Sequence, residues 1–111
     1  MKLSIIVPCY NEAGTVNKVI KELEELELHG VEKEIIMIDD GSTDGTKRII
    51  EDLCGKPLFK TFFQDKNEGK GAALKKGFEL AEGDIIAIQD ADLELHPNEF
   101  KKLIQPIIDG R

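Results

Sequence analysis

The chain lacks the features that mark secreted, membrane-spanning or nucleic-acid-binding proteins. It has only two cysteines in 111 residues, Cys9 and Cys54, which favours reduced thiols in a cytosolic protein over a disulfide framework. No apolar run approaches the length of a membrane span, and no signal peptide precedes the first apolar segment. Acidic residues outnumber basic ones, 22 to 15, and the net charge of -7 argues against a nucleic-acid partner but not against a nucleotide ligand. We therefore expect a cytoplasmic protein.

Repeats, low-complexity tracts and linkers are also absent, and a length of 111 residues allows one domain at most. Short apolar runs alternate with segments whose apolar residues recur at helical spacing. The runs predict strands over 3–7, 35–38, 58–63 and 84–89, and helices are expected after each of them. Continuously apolar strands between amphipathic helices predict an α/β fold, with a mostly parallel sheet covered on both faces and the first strand central.

The fourth predicted strand ends in three carboxylates, Asp90, Asp92 and Glu94. Alternate residues of an extended chain point the same way, so these side chains can converge beyond the end of the strand. Three clustered negative charges repel one another unless a cation lies among them, and a hard divalent cation prefers oxygen ligands. The spacing favours a metal-assisted phosphate site, and the alternative is a solvated acidic loop that caps the next helix.

Polar residues also follow the first two predicted strands. Because open α/β sheets bind ligands beyond the carboxyl ends of their strands, polar loops at that one edge predict a single site. The first loop carries Tyr10, which could stack on a base or simply pack beside Pro8. The second carries Asp39 and Asp40, which point apart in an extended chain, so that one could contact a base or ribose while the other caps the next helix together with Ser42.

The third loop, residues 67–71, is rich in glycine and precedes a helix. Its backbone N–H groups could approach phosphate, and Lys70 or Lys75 could add positive charge, although two glycines before a helix are often only a turn. The two histidines, His29 and His96, receive no catalytic role, because a structural or surface role explains each of them. Pro106 is expected to end or kink the last predicted helix.

The four loops carry sequence motifs in a fixed order: PCYNE at 8–12, DDGSTD at 39–44, NEGKG at 67–71 and QDADLE at 89–94. In this combination the whole chain resembles the N-terminal, nucleotide-sugar-binding half of a family 2 glycosyltransferase with a Rossmann-like GT-A fold. It is most similar to the polyprenyl-phosphate (dolichyl-phosphate) hexosyltransferases. The resemblance implies a UDP- or GDP-hexose donor, a divalent cation (Mg²⁺ or Mn²⁺) and inverting transfer to a polyprenyl phosphate or saccharide acceptor.

The resemblance also implies roles for residues that match the motifs of the family. Residues of the first loop would frame the nucleoside, and these are Pro8, Tyr10 and Glu12. Asp39 or Asp40 would contact the base or the ribose.

The remaining implied roles concern the metal and the diphosphate. Asp90 and Asp92 match the Asp-x-Asp motif, which binds the metal and lies against the donor, and Glu94 stands where a further metal-side ligand is often found. Lys70 matches a lysine near the diphosphate. Lys75 stands where many relatives have arginine, whose bidentate fork suits phosphate better than an ammonium does.

Members of this family are considerably longer, so residues 1–111 are expected to form a single, partial GT-A domain without its acceptor half. That half would supply the general base, and we therefore assign no catalytic residue. Such a half domain would expose apolar surface near the fourth strand and the helix from Pro97, from which we expect a homo-oligomer. The full-length protein would act in the cytoplasm or at the cytoplasmic face of a membrane.

Three other classes of protein share part of this pattern. A dinucleotide-binding domain needs a glycine fingerprint after the first strand, and residues 8–14 do not supply it. A phospho-receiver domain does not match the acidic cluster at 90–94. A non-catalytic nucleotide-binding or self-assembling remnant of a glycosyltransferase is the remaining alternative, and a nucleotide titration would separate a pure assembly module from a donor-binding domain.

Overall fold

The computed structural model describes residues 1–92 and 97–110 of the chain. Strands and helices alternate in it as the apolar pattern predicts. The elements are β1 (Lys2–Cys9), α1 (Val16–Glu25), β2 (Glu32–Asp39), α2 (Thr46–Glu51), β3 (Phe59–Phe63), α3 (Lys70–Leu80), β4 (Ile85–Ile88) and α4 (Pro97–Asp109).

The four strands form one sheet in the order β3-β2-β1-β4, and every neighbouring pair is parallel. β1 pairs on both of its sides, with Ile6 opposite Ile36 of β2 and Ile88 of β4, so the prediction of a central first strand is confirmed. Because all strands run the same way, their carboxyl ends lie at one edge of the sheet. The loops that follow them are therefore neighbours in space.

Helices cover both faces of the sheet, as expected of strands that are apolar on both sides. On one face, side chains such as Ile5 and Met37 pack against the buried stripe of α1 and against α2 and α4. On the other face, Ile6, Ile36 and Ile38 pack against α3. Alternate residues of a strand point to opposite faces, so consecutive isoleucines fill both layers.

The last helix continues past its proline. Pro106 does not end α4, which runs on to Asp109, and the N–H of Gly110 donates to the Pro106 carbonyl at 3.0 Å. Pro106 lacks the N–H that would donate to the Lys102 carbonyl, so α4 loses that one hydrogen bond and still continues to Asp109. None of the helices in the described ranges has the length and apolar composition needed to cross a bilayer.

Apolar side chains are exposed on β4, which pairs only with β1 among the described strands. On this strand Ile86 is 41% and Ile88 45% exposed. Three helical side chains are also exposed, namely Phe78 of α3 and Leu103 and Ile107 of α4. Apolar surface is thus present where the sequence analysis expects it.

A buried ionic network lies at the opposite, amino-terminal edge of the sheet, on the α3 face. The buried carboxylate of Glu34 accepts hydrogen bonds from Ser4 Oγ at 2.5 Å and from the Glu82 N–H at 2.7 Å, and it lies 3.0 Å from Lys60 Nζ. Burial alone would raise the pKa of Glu34, but the bonds from Ser4, Glu82 and Lys60 outweigh it and lower the pKa to about 2. This network joins three strands to the segment between α3 and β4.

Candidate functional site

A cavity of about 400 Å³ opens at the carboxyl ends of the strands, a size typical of small-molecule sites. All four loops contribute to it. Its walls are formed by Pro8, Cys9, Tyr10, Glu12, Asp40, Asn67, Gly69, Lys70, Ala73, Asp90, Ala91 and Asp92. The structure therefore brings most of the candidate residues together, and it places Asp39 and Lys75 outside the cavity wall.

Reciprocal hydrogen bonds fix the first loop to the second. Asn11, whose backbone is left-handed with φ 50°, donates from its N–H to Ser42 Oγ at 2.9 Å, and its side-chain oxygen accepts from the Thr43 N–H at 2.8 Å. Asparagine tolerates this backbone conformation better than most side chains do. The Glu12 N–H donates to Thr46 Oγ1 at 2.9 Å. These contacts hold the segment that presents Tyr10, which is 45% exposed, at the mouth of the cavity.

Ser42 does not cap α2, contrary to the expectation from sequence, because its hydroxyl is engaged with Asn11. The helix begins at Thr46, and Asp44 Oδ1 accepts hydrogen bonds from the Thr46 N–H at 3.0 Å and from its hydroxyl at 2.6 Å. The hydrogen bonds from Thr46 lower the pKa of the Asp44 carboxyl. Asp44, two residues before the helix begins, therefore accepts the hydrogen bond from its first N–H that was expected to go to Ser42.

The two adjacent aspartates have different environments. Asp39 is fully buried, and its Oδ2 accepts from the Ser42 N–H at 3.2 Å, while no described residue donates to Oδ1. Asp40 faces the other way and lines the cavity. Of the two, Asp40 is the one that lines the cavity.

Asp40 also holds the glycine-rich loop in place. Its Oδ1 accepts from Gln64 Nε2 at 2.7 Å and the Glu68 N–H at 2.8 Å, and its Oδ2 accepts from Asn67 Nδ2 at 3.1 Å and the Gly69 N–H at 3.0 Å. Four donors thus surround one buried carboxylate. The N–H groups of Glu68 and Gly69, which the sequence predicts as donors to phosphate, already donate to Asp40.

Gly41 allows the backbone of residues 66–67 to pass directly over the second loop. Its φ of +72° suits glycine, and a β-carbon at this position would lie 2.4 Å from the Lys66 carbonyl carbon and 2.5 Å from the Asn67 nitrogen. No larger residue fits there without moving backbone. Gly41 and Asp40 together hold the 64–69 segment in place, and that segment leads into Lys70 at the start of α3.

The third wall of the cavity carries the paired carboxylates. Asp90 and Asp92 both line it, and Lys70 Nζ lies 2.5 Å from Asp90 Oδ1. Thr15 Oγ1 donates to the carbonyl of Ala91 at 2.7 Å and so ties the turn between the two aspartates to the start of α1. Sequence analysis missed this role of Thr15, because its partner lies 76 residues away and leaves no local signal.

Lys75 lies on α3 five residues beyond Lys70 and is exposed. At about 100° per residue, five residues turn the side chain roughly 140° away from the direction of Lys70, which explains why Lys75 is not part of the cavity. Glu94 and His96 lie outside the described residues.

The charges of the cavity favour a bound cation. Glu12, Asp40, Asp90 and Asp92 contribute carboxylates to the wall, and Lys70 contributes the ammonium. Within the described ranges no three side chains of the types that ligate metals form a cluster. Two carboxylates are nevertheless enough for Mg²⁺ or Mn²⁺, since Mg²⁺ usually combines one or two carboxylates with water and substrate phosphate oxygens. The approach of the Lys70 ammonium to Asp90 also indicates that this carboxylate attracts positive charge.

Comparison with known proteins agrees with the fold and with this location of the site. Residues 4–111 match the family described as Glycosyl transferase family 2. A curated relative, the dolichol-phosphate mannosyltransferase of Pyrococcus furiosus, is 34% identical over 110 residues, which cover 99% of this chain and 31% of the relative. The chain therefore spans about a third of the length of that relative.

Solved structures give the same assignment. TarS of S. aureus in complex with UDP-GlcNAc superimposes with a TM-score of 0.83 at 28% identity, over 98% of this chain and 32% of that one. The mannosyltransferase PcManGT from Pyrobaculum calidifontis, in complex with GDP-Man and Mn²⁺, has a TM-score of 0.79 at 26% identity, over 93% of this chain and 31% of that one. The α/β fold with its parallel sheet is that of the GT-A glycosyltransferases, and the chain belongs to glycosyltransferase family 2.

Proposed function

We propose that this domain binds the nucleotide-sugar donor of an inverting glycosyl transfer, and that a divalent cation strengthens the binding. The observation that carries the proposal is the cavity at the carboxyl ends of the strands, where Tyr10, Lys70 and the Asp90–Asp92 turn meet. The complexes of TarS with UDP-GlcNAc and of PcManGT with GDP-Man and Mn²⁺ support it. The donor is accordingly a UDP- or GDP-hexose.

The nucleoside occupies the side of the cavity formed by the first two loops. Pro8 and Tyr10 offer apolar surface against which a base can stack, and Glu12 offers a carboxylate to the hydroxyl groups of a ribose. Asp40 faces the same space, so a base that donates to it shares a carboxylate that already accepts four protein hydrogen bonds. We assign the contact with the base or ribose to Asp40 in preference to Asp39, whose side chain is fully buried and does not line the cavity.

The diphosphate occupies the opposite side, between Lys70 and the carboxylates of Asp90 and Asp92. These two aspartates would hold Mg²⁺ or Mn²⁺, and Glu94 remains a candidate further ligand. A divalent cation, when bound there, supplies a Lewis acid that offsets the charge of the departing nucleoside diphosphate. Lys70 adds a fixed positive charge on the same group, which stabilises the transition state more than the ground state.

A polyprenyl phosphate is the acceptor that we favour, by analogy with the dolichol-phosphate mannosyltransferase named above. Its phosphate oxygen is already an anion, so it can attack the anomeric carbon opposite the leaving group without a general base, and the configuration inverts. A saccharide hydroxyl would need a carboxylate base, and we assign none among these residues. A polyprenyl acceptor would place the reaction at the cytoplasmic face of a membrane.

Calorimetric titration with UDP-GlcNAc and GDP-Man, each with Mn²⁺ and with a chelator, tests the proposal. We expect binding that depends on Mn²⁺, and Asp92→Asn should weaken it by about 1–3 kcal/mol, the range for loss of a charge-assisted contact. Asp52→Asn, which removes one exposed carboxylate of the α2 end far from the cavity, should leave the affinity unchanged. Equal affinity with the chelator would exclude the metal role, and absence of nucleotide binding would favour the self-assembling alternative.

A further inference from the structure

The ion pair between Lys70 and Asp90 joins two sides of the cavity. Lys70 is the first residue of α3, and Asp90 follows β4 by two residues. Their charged atoms lie 2.5 Å apart, and the side chain of Asp90 is only 29% exposed. A charge-assisted contact of this kind is stronger than one between neutral groups.

The contact engages one of the two carboxylate oxygens of Asp90, a residue that a metal ion at the Asp90–Asp92 turn would use. A divalent cation bound to Asp90 would lie close to the ammonium of Lys70, and two positive charges at that range repel each other. Metal and ammonium therefore cannot both hold Asp90 at full strength. Binding of one weakens the binding of the other.

We propose that Lys70 competes with the divalent cation for Asp90 while the site is empty of donor, and that metal binding releases Lys70 to the diphosphate. This inference rests on the proposed function, since it assumes that the same cavity takes a nucleoside diphosphate with a metal. Lys70 thus neutralises Asp90 in the free protein and the donor phosphates in the loaded one. It couples metal binding to donor binding.

The structure explains how Lys70 can change partners without the loop moving. Asp40 holds the Gly69 N–H at 3.0 Å and the Glu68 N–H at 2.8 Å, so the backbone just before Lys70 is fixed. The lysine side chain is a flexible four-carbon stem with a compact charge, and it can turn about this fixed point. More than half of the Lys70 side chain, 56%, is exposed, which leaves it room to do so.

Coupling of this kind works in both directions. When diphosphate offers Lys70 a new partner, the carboxylate of Asp90 becomes available and the affinity for metal rises. Thermodynamic linkage then requires that metal raise the affinity for diphosphate by the same factor. In a variant without the ammonium of Lys70, nothing should compete with the metal for Asp90, and the contact with phosphate should also be lost.

Lys70→Met tests the inference because it should change two affinities in opposite directions. Binding of Mn²⁺ alone, measured from the paramagnetic resonance signal of the free ion, should become about 2- to 5-fold tighter, the range for loss of a partly exposed ion pair. Binding of UDP in the presence of Mn²⁺ should become about 10-fold weaker or more, because a charge-assisted contact to phosphate is lost. Lys70→Gln should behave in the same way and serves if the first variant does not fold.

Lys21→Met is the matched control, since it removes one exposed lysine of α1 and changes the net charge by the same amount. Neither affinity should change in that variant by more than a small long-range effect. If Lys70→Met binds Mn²⁺ no more tightly than the control, the competition does not exist and the inference is overturned while the proposed function stands. If the unaltered protein binds neither Mn²⁺ nor UDP, both are overturned.

Discussion

Replacement of Asp40 by asparagine should damage the domain more than any change of similar size at its surface. The carboxylate is 3% exposed and accepts four hydrogen bonds, two of them from the backbone of Glu68 and Gly69. Asparagine keeps a single oxygen acceptor, which can serve two of the four donors. Its NH₂ group then faces the other two donors, and a buried N–H that loses its acceptor is costly.

The size of the effect follows from those contacts. Two charge-assisted hydrogen bonds at about 1.5–3 kcal/mol each give a loss of about 3–6 kcal/mol, and relaxation of the loop favours the lower half of that range. Domains of this kind are stable by about 5–15 kcal/mol, so Asp40→Asn should remove a large part of that stability. Binding of UDP with Mn²⁺ should weaken as well, because Gly69 and Lys70 both line the cavity.

Urea denaturation followed by circular dichroism measures the change in the free energy of unfolding. Asp65→Asn is the control, because it makes the same chemical change at an exposed position of the same loop. That variant should stay within about 0.5 kcal/mol of the unaltered protein. If Asp40→Asn lowers the free energy of unfolding no more than Asp65→Asn does, the carboxylate of Asp40 does not hold the loop in place.

Three further predictions concern other parts of the molecule. The folded pKa of Glu34 is about 2, below its ordinary value of 4.5, so its stabilising contribution of about 3 kcal/mol is complete above about pH 5 and is lost as the pH falls through 2. Glu34→Gln should remove this part of the pH dependence of unfolding, whereas Glu32→Gln at an exposed position of the same strand should not. Gly41→Ala should lower the thermal midpoint much more than Gly30→Ala, because φ is nearly equal, +72° against +73°, but only Gly41 faces backbone within 4 Å; equal midpoints would contradict the steric argument. Light scattering should find a dimer or larger species that Ile86→Ser combined with Ile88→Ser converts to monomer, and a strictly monomeric starting protein would exclude association through this surface.

The sequence predicts the sheet and the place of the site because both depend on local patterns. Apolar runs predict the strands, and parallel strands must end at one edge, so the gathering of four polar loops follows without knowledge of any contact. The roles of single residues depend instead on partners far along the chain. Asp40 meets donors 24 to 29 residues away, and nothing in the DDGSTD motif distinguishes it from Asp39.

The same limit explains the expectations that were wrong. Ser42 is a good capping residue by type, but Asn11 engages its hydroxyl across 31 residues, and Asp44 bonds Thr46 in its place. Pro106 was expected to end or kink α4, and the helix does not end there but runs on to Asp109. At the start of α2, residue type gave the right chemistry, and tertiary position decided which residue performed it.

The central position of β1 also has a consequence for synthesis on the ribosome. Leu3 pairs with Lys33 on one side and with Ile85 on the other, so the second side of β1 has no partner until β4 has been made. At about 5–20 residues per second, β4 emerges roughly 2–9 s after β2. During that interval the nascent chain has β1 and β2 but not the strand that carries Asp90 and Asp92 to the site. The candidate site therefore stays incomplete until β4 and the Asp90–Asp92 turn have been made, and a nascent chain stalled before residue 85 should neither bind nucleotide with metal nor protect the backbone of β1 from hydrogen exchange on its β4 side.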